Sequence, residues 1–415
     1  MIIYLVNRYF WPDESATSLL LTDLAEDLQA AGHEVQVFTS RQLYNRPQAP
    51  LPQHQIWQGI RIHRLPTSRF GRRHFCGRLF DIITFHLALR YANNITVKPD
   101  AWFVMTDPPL IVNTVLQLRR RLGGRVIHHV DDVYPDLAMA LGSLPQRGWV
   151  ASLLSRWAQA GLRNCDQVLA LGECMAGVLK NKGVTADRLA ITPPWADGSR
   201  LLPLEQGENR FRQEIGIPAN HLVVMYSGNM GLGHRFETIL AAARALASND
   251  KIHFVFIGDG ARKPQIDAYR QAHHLSQVMM LPYQPRERLR ETLSAGDIHL
   301  ISLEAQVQGF IVPSKLAGIL AVGRPVIFLG HDQNSIAAAI LQAQCGYVIP
   351  EGEVSRLEEV IERLRKNSGH RRRLGDAARN LFAREYDRAV VVPQIIAKIE
   401  ANPHKTETWN GITLS

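Results

Sequence analysis

The chain has 415 residues, 46% of them hydrophobic and 20% charged, with 30 Gly and 22 Pro. This near-average composition excludes wholesale disorder, collagen-like repeats and coiled coil, and the length allows two or three domains. The net charge of +9 is unevenly placed: residues 41–125 hold 14 Lys/Arg against 3 Asp/Glu, a local +11.

In chain order, IIYLV at 2–6 reads as a buried strand. Leu20, Leu24, Leu28 and Ala31 then recur at helical spacing until Gly32 ends the helix. VQVF at 35–38 is the second strand, further strands are expected at 101–105, 125–130 and 168–171, and a helix at 149–163. The opening MIIYLVNRYF has no basic region ahead of its apolar one and no small-residue cleavage site, and no stretch supports about 20 consecutive apolar residues. Neither a signal peptide nor a membrane span is expected. Cys76, Cys165, Cys174 and Cys345 stand far apart without metal-ligand spacing, which argues against a disulfide framework or structural zinc and fits a reducing cytoplasm.

Near ITPPWADG at 191–198 the pattern lapses into Pro, Gly and polar residues through Gly207, which marks a linker. A second series follows, with strands VVMYS at 223–227, HFVFIG at 253–258, VMMLP at 278–282, IHLIS at 298–302 and PVIFL at 325–329, each leading into a helical segment. Charged helical stretches fill 355–386, one more helix covers 390–401, and 404–415 reads as a loose tail. The expected fold class is therefore α/β, with two doubly wound parallel-sheet domains. In such folds ligands bind beyond the carboxyl ends of the strands, so the site is expected in an interdomain cleft.

Several loops at those strand ends carry suitable chemistry. GNMGLGHRFET at 228–238 holds three glycines ahead of a helix, so its backbone can approach an anionic group, and Arg235 adds charge; a ligand-free βα turn is the plainer alternative. Its spacing is not a GxGxxG fingerprint, and Asp259 belongs to a second Gly-rich turn, GDGARK at 258–263, which disfavours a simple NAD site. In QGFIVPSKLAGILAVGRPVI at 308–327, Pro313, Ser314 and Lys315 open a helix with a hydroxyl donor and a point charge suited to a diphosphate. VIHHVDDVYPD at 126–136 puts two His and two Asp at a strand end, and alternation sends His129 and Asp131 to one face and His128 to the other. Asp13, Glu14, Ser15 and Thr17 either cap the next helix or meet a polar acceptor. There is no GxxxxGKS loop, HExxH or GxSxG, which removes P-loop kinases, zincins and α/β-hydrolases.

The YSGN-G turn at 226–231, the IGDG turn at 257–260, LPYQPRERLRETLSAGDIHLISL at 281–303 and VPSKLAGILAVGRPVI at 312–327 together resemble the retaining glycosyltransferases of family 4, which have the two-domain GT-B fold. HVDDVYPDLAMALG at 129–142 and PPWADG at 193–198 resemble the subgroup that builds exopolysaccharide and colanic-acid-type repeats. The resemblance implies an acceptor domain at 1–195, a nucleotide-sugar domain at 196–388, a helix at 389–402 returning to the first domain, and a tail at 403–415. It implies a hexose moved with retention from a nucleotide sugar, as co-substrate, to a polyprenyl-diphosphate-linked or saccharide acceptor, with no cofactor and no metal. His129, Asp131 and Asp132 are the implied catalytic residues. Gly228, Asn229, Gly231, Arg235, Ser314 and Lys315 would hold the donor diphosphate; Gly258, Asp259, Gly260, Pro282 and Tyr283 the nucleotide; Glu304, Gly309 and Phe310 the donor sugar; and Asp13, Glu14, Ser15 and Thr17 the acceptor. The family's E-x7-E pair falls on Phe310 and Gly318, so both carboxylates are absent, and Lys315, Arg235 and Glu304 are expected to substitute.

Two other functions compete. A sugar-nucleotide 2-epimerase of the same fold needs no separate acceptor, and the basic region 41–125 suits nucleic acid, although it holds no known RNA or DNA module. RRHFCGRLFDIITFHLAL at 72–89 mixes Arg with bulky apolar residues, as a membrane-surface helix does. The expected partner of this region is thus an anionic membrane rather than nucleic acid, with the enzyme peripheral at the inner face of the plasma membrane.

Overall fold

The computed structural model describes residues 1–49, 51–71, 75–92, 95 and 97–401. Arg72, Arg73 and the 403–415 tail lie outside the described residues.

The first domain is built on β1 (Ile2–Val6), β2 (Glu34–Ser40), β3 (His54–Trp57), β4 (Ile60–Leu65), β5 (Ala101–Val104), β6 (Arg125–Val130), β7 (Gln167–Ala170) and β8 (Leu189–Ile191). Their order in the sheet is β3-β4-β2-β1-β5-β6-β7-β8, and all neighbours run parallel except the β3–β4 hairpin. β1 and β5 are almost wholly buried because helices cover both faces, so they read as unbroken apolar runs. The hairpin, turned at Gln58 and Gly59 with φ of 48° and 82°, has a half-polar face and lacks such a run, so the apolar-run reading passes over it. β8 is only three residues long and was likewise not expected.

The second sheet contains β9 (Leu222–Ser227), β10 (Ile252–Ile257), β11 (Val278–Leu281), β12 (Ile298–Ser302), β13 (Val326–Leu329) and β14 (Gly346–Ile349), all parallel in the order β11-β10-β9-β12-β13-β14. Both sheets are thus doubly wound, with their first strands central.

Two chain segments cross between the domains side by side. The Ala196 N–H donates to the Tyr386 carbonyl at 3.0 Å, and the Arg388 N–H returns to the Ala196 carbonyl at 2.9 Å. After this crossing, helix Arg388–Glu400 packs Val391, Val392, Ile395 and Ile399 into the first domain's core against Leu20, Leu24 and Leu28 of helix Ala16–Ala30. Arg388 fixes its start by reaching Asp23, Glu26 and Asp27 at 2.7–3.1 Å.

Candidate active site

Two glycine turns at the carboxyl end of the second sheet interlock. A side chain at Gly258 would meet the Gly228 carbonyl at 2.1 Å, and one at Gly260 would meet the Met230 backbone at 2.5 Å. Gly228, Gly258 and Gly260 have φ of 127°, 135° and 149°, which side chains of other residues rarely permit. The Met230 N–H donates to the Asp259 carbonyl and the Arg262 N–H to the Met230 carbonyl, so the turns form one rigid rim.

Lys315, on the first residue of helix Lys315–Ala321, sends its ammonium beneath this rim. Its Nζ lies 3.6 Å from the centre of the Tyr226 ring and has no hydrogen-bond partner although fully buried. Burial without a carboxylate pushes its pKa down to about 7. Tyr226 is held in turn by donating its hydroxyl to the Asn229 carbonyl at 2.8 Å. His234 is buried beside the lysine, and burial followed by the Lys315 charge lowers it to about 3, so it is a neutral acceptor or donor at physiological pH.

Beside the rim lies a cluster of alternating charges. Glu304, almost fully buried, accepts from Arg262 at 3.0 Å, lies 3.6 Å from Arg235, and takes a further bond from Gln306. Arg235 also reaches Glu351 at 3.1 Å, and the other Glu351 oxygen is buried without a partner. Burial raises the Glu351 pKa. Arg235 is therefore an exposed, shared cation, in contrast with Lys315. Arg262 and Glu351 were not singled out from the sequence; the GDGARK turn contained the first, while Glu351 comes from the loop after β14 and has no local signal.

On the opposite wall, Asp131 and Asp132 follow β6. The Asp131 N–H donates to Thr106 Oγ1 at 2.8 Å, which pins the strand end. His129 and Asp131 do share one side, with Nδ1 and Oδ1 3.4 Å apart. His129 is 0% exposed, wedged between Phe103 and Trp195, and neither ring nitrogen has a hydrogen-bond partner, so it does not itself face the cleft. His128 turns the other way and bonds the Val104 carbonyl; burial lowers its pKa to about 4. Asp132, half-exposed, bridges antiparallel to Ile311, while the Val133 N–H donates to the Phe310 carbonyl at 2.8 Å. The strand end of one domain is thus stitched to the segment leading into Lys315 of the other.

That stitch passes through Phe310, the first of the two positions that lack a carboxylate. Phe310 packs against apolar clusters of both domains, where a carboxylate would be stranded in an apolar contact. Gly318 faces Leu293, whose Cδ1 lies 3.1 Å from the place of a first side-chain carbon. Gly309, with φ 80°, lets the chain approach helix Glu173–Asn181, where a side chain would lie 2.9 Å from Val178.

The remaining expected residues are spread around this core. Pro282 and half-exposed Tyr283 follow β11, with the Tyr283 ring near Gly258. Ser314 faces away from Lys315, into a cavity of about 480 Å³ on the β7–β8 side, shared with Gly172, Glu173, Pro193 and Ser335. Asp13 is committed to its loop: Oδ1 accepts the Ser15 N–H at 2.8 Å and Oδ2 the Tyr44 N–H at 2.6 Å. Burial nonetheless raises its pKa. Ser15 precedes helix Ala16–Ala30 without a side-chain cap bond, Thr17 lies 3.5 Å from Asn7, and Glu14 is exposed.

Residues 19–195 match the family described as Glycosyl transferase 4-like domain, and residues 207–381 match Glycosyl transferases group 1. The putative colanic acid biosynthesis glycosyl transferase WcaI of Escherichia coli is 26% identical over 335 residues, covering 78% of this chain and 81% of that protein. Among solved structures, sucrose-phosphate synthase from Thermosynechococcus elongatus superposes with a TM-score of 0.78 at 18% identity, covering 96% of this chain and 98% of that one. HepE of Anabaena in complex with UDP-glucose superposes with a TM-score of 0.70 at 12% identity, covering 96% and 99%. With both halves matched in order and the GT-B fold in place, the chain belongs to the glycosyltransferases that join a 4-like domain to a group 1 domain.

Proposed function

We propose that this enzyme moves a hexose, with retention, from a nucleotide sugar to a saccharide or polyprenyl-diphosphate-linked acceptor in exopolysaccharide or cell-envelope glycan synthesis. The observation that carries the reading is Lys315: a buried ammonium with no carboxylate beneath a glycine rim is a receptor for a dianionic leaving group. The diphosphate lies over Gly228–Asn229 with Lys315 below it and Arg235 at the side. The Gly258–Gly260 turn and Tyr283 hold the nucleoside, and Glu304 accepts from sugar hydroxyls.

In the transfer, the acceptor oxygen bonds to the anomeric carbon on the face that the diphosphate leaves. The carbon–oxygen bond to the diphosphate breaks, and the acceptor's proton passes to the departing phosphate oxygen. The enzyme aligns the reactants and stabilises the developing charge. Asp132, beside the Ile311 bridge, orients the acceptor hydroxyl, and the backbone of Asp131 is pinned by Thr106. The charges are neutralised by side chains, so chelation with EDTA leaves the rate unchanged.

The exopolysaccharide assignment draws on the likeness to WcaI, and UDP-glucose is the first donor to try because HepE binds it. Among the described residues no helix is long and apolar enough to cross a membrane. Peripheral attachment at the inner membrane face draws on helix Phe75–Arg90, which exposes Leu79, Phe80, Ile83 and Leu87. Incubation with UDP-, GDP- and ADP-sugars plus membrane lipid extract tests the whole: an α-linked product from an α-linked donor supports it. An epimerised sugar nucleotide formed without acceptor assigns the isomerase function instead.

A further inference from the structure

A second helix of the first domain turns its apolar side outward. Helix Trp149–Asn164 buries Ala151, Ala158, Gly161 and Leu162, and leaves Trp149 (78% exposed), Leu153 (58%) and Trp157 (40%) in one stripe at four-residue spacing. A surface helix ordinarily presents polar groups to water. This one presents two indoles and a leucine. This helix and helix Phe75–Arg90 approach at one point, where the Trp157 ring lies 6.2 Å from the ring of His86, itself held inward by Thr114 and the Pro109 carbonyl.

The exposed charges carried by the two helices have one sign. Helix Trp149–Asn164 holds Arg156 and Arg163 and no acid, and exposed Arg147 stands two residues before it. The single acid of helix Phe75–Arg90, Asp81, is buried and accepts from Arg8, Gln42 and Ser68, so it contributes nothing to the outer face. The inner side of helix Trp149–Asn164, at Ala158 and Leu162, lines a narrow crevice with Thr106 and Asp132. The exposed stripe is thus carried by an element that also borders the acceptor wall.

We propose that helix Trp149–Asn164 is a second membrane anchor, which seats Trp149, Leu153 and Trp157 at the headgroup–acyl boundary of an anionic bilayer beside helix Phe75–Arg90. The inference rests on the membrane reading above and adds to it a part that salt does not screen. Tryptophan suits this boundary, with an apolar ring and one polar N–H, and the arginines suit anionic headgroups. A second copy of the chain would bring a like-charged face against this one, which disfavours a dimer there.

The test uses the full chain with Trp409→Phe, which removes the tryptophan outside the described residues. Vesicles of phosphatidylcholine and phosphatidylglycerol, with brominated acyl chains, report insertion by quenching indole emission. The expected result is quenching at low salt and residual binding in 1 M NaCl. Trp149→Ser/Leu153→Ser/Trp157→Ser should remove the quenching and lower partitioning in high salt at least about tenfold, from the apolar area withdrawn, with a cooperative thermal transition retained. If the triple variant does not fold, Trp149→Ser alone, at a largely exposed position, must still reduce the quenching. Binding at low salt without quenching overturns the anchor and leaves the peripheral reading intact, whereas no binding to any vesicle overturns both. A concentration-dependent dimer that the triple variant abolishes reassigns the face to a second copy and overturns the proposal.

Discussion

Two cations, one partly buried and one with a fully buried ammonium, sit in opposite circumstances. Arg388, where the chain re-enters the first domain, is surrounded by Asp23, Glu26, Asp27 and, at 3.8 Å, Asp197. Although burial alone would lower its pKa, bonds to Asp27 and the Asp23 and Asp27 charges outweigh it and raise the pKa. Lys315, in the cleft, has an aromatic face and no acid, and burial pulls it down to about 7. The first arrangement is complete within the protein and holds two domains in register. The second is incomplete, and an unsatisfied buried ammonium is retained where a ligand supplies the missing charge.

Removing each cation separates these roles. Arg388→Ala leaves Glu26 and Asp27 without their cation, while Asp23 keeps Arg286 and Asp197 keeps Arg200, and should lower unfolding stability by about 2 kcal/mol, the scale of lost hydrogen bonds to charged groups. Urea titration measures this, and an unchanged midpoint would make the cluster ornamental. Lys315→Met should leave the midpoint unchanged or raised, because no partner is stranded. Transfer should fall about a hundredfold, as when a preorganised donor to a leaving group is lost. A Lys315→Met enzyme with full activity would remove the lysine from the site.

The same contrast predicts a pH dependence confined to the cleft. Below pH 7 Lys315 is charged and attracts a diphosphate; above it the free enzyme holds a neutral amine, and binding must take up a proton. Donor affinity should therefore weaken by up to about tenfold between pH 7 and pH 8, following the loss of one bound proton. Calorimetry in buffers of different ionisation heat reads the proton uptake directly. The slope should vanish in Lys315→Met, and a slope that survives belongs to another group.

How much of this was legible in the sequence depended on distance along the chain. Unbroken apolar runs marked the central parallel strands, and clustered glycines marked the 228–231 and 258–260 turns, because both signals are local. The β3–β4 hairpin was missed because a half-exposed edge carries a weaker pattern than a buried strand. Partners brought together by folding left no local trace: Tyr226 beneath Lys315, Glu351 on Arg235, and Asp23 on Arg388. Phe310 was recognisable as a departure from the E-x7-E pair, yet its reason, an apolar contact across two domains, required both cores to be built.

Arg235 is the finer test of the comparison, since it lies between its two extremes. It is 54% exposed and divides its charge between Glu304 and Glu351. Solvent and these carboxylates already screen it, so a diphosphate gains less from it than from Lys315. Arg235→Ala should lower transfer only about tenfold, an order of magnitude less than Lys315→Met, by the same scale of preorganised charge. Part of that loss should be indirect, because Glu304 would keep Arg262 but lose its second cation. Arg235→Lys restores charge without the fork that spans both carboxylates, and should recover only part of the rate. Full recovery would mean that Arg235 acts as a plain charge on the donor, and a loss as deep as that of Lys315→Met would place it on the diphosphate as a direct contact rather than as the bracket that holds Glu304 and Glu351 apart.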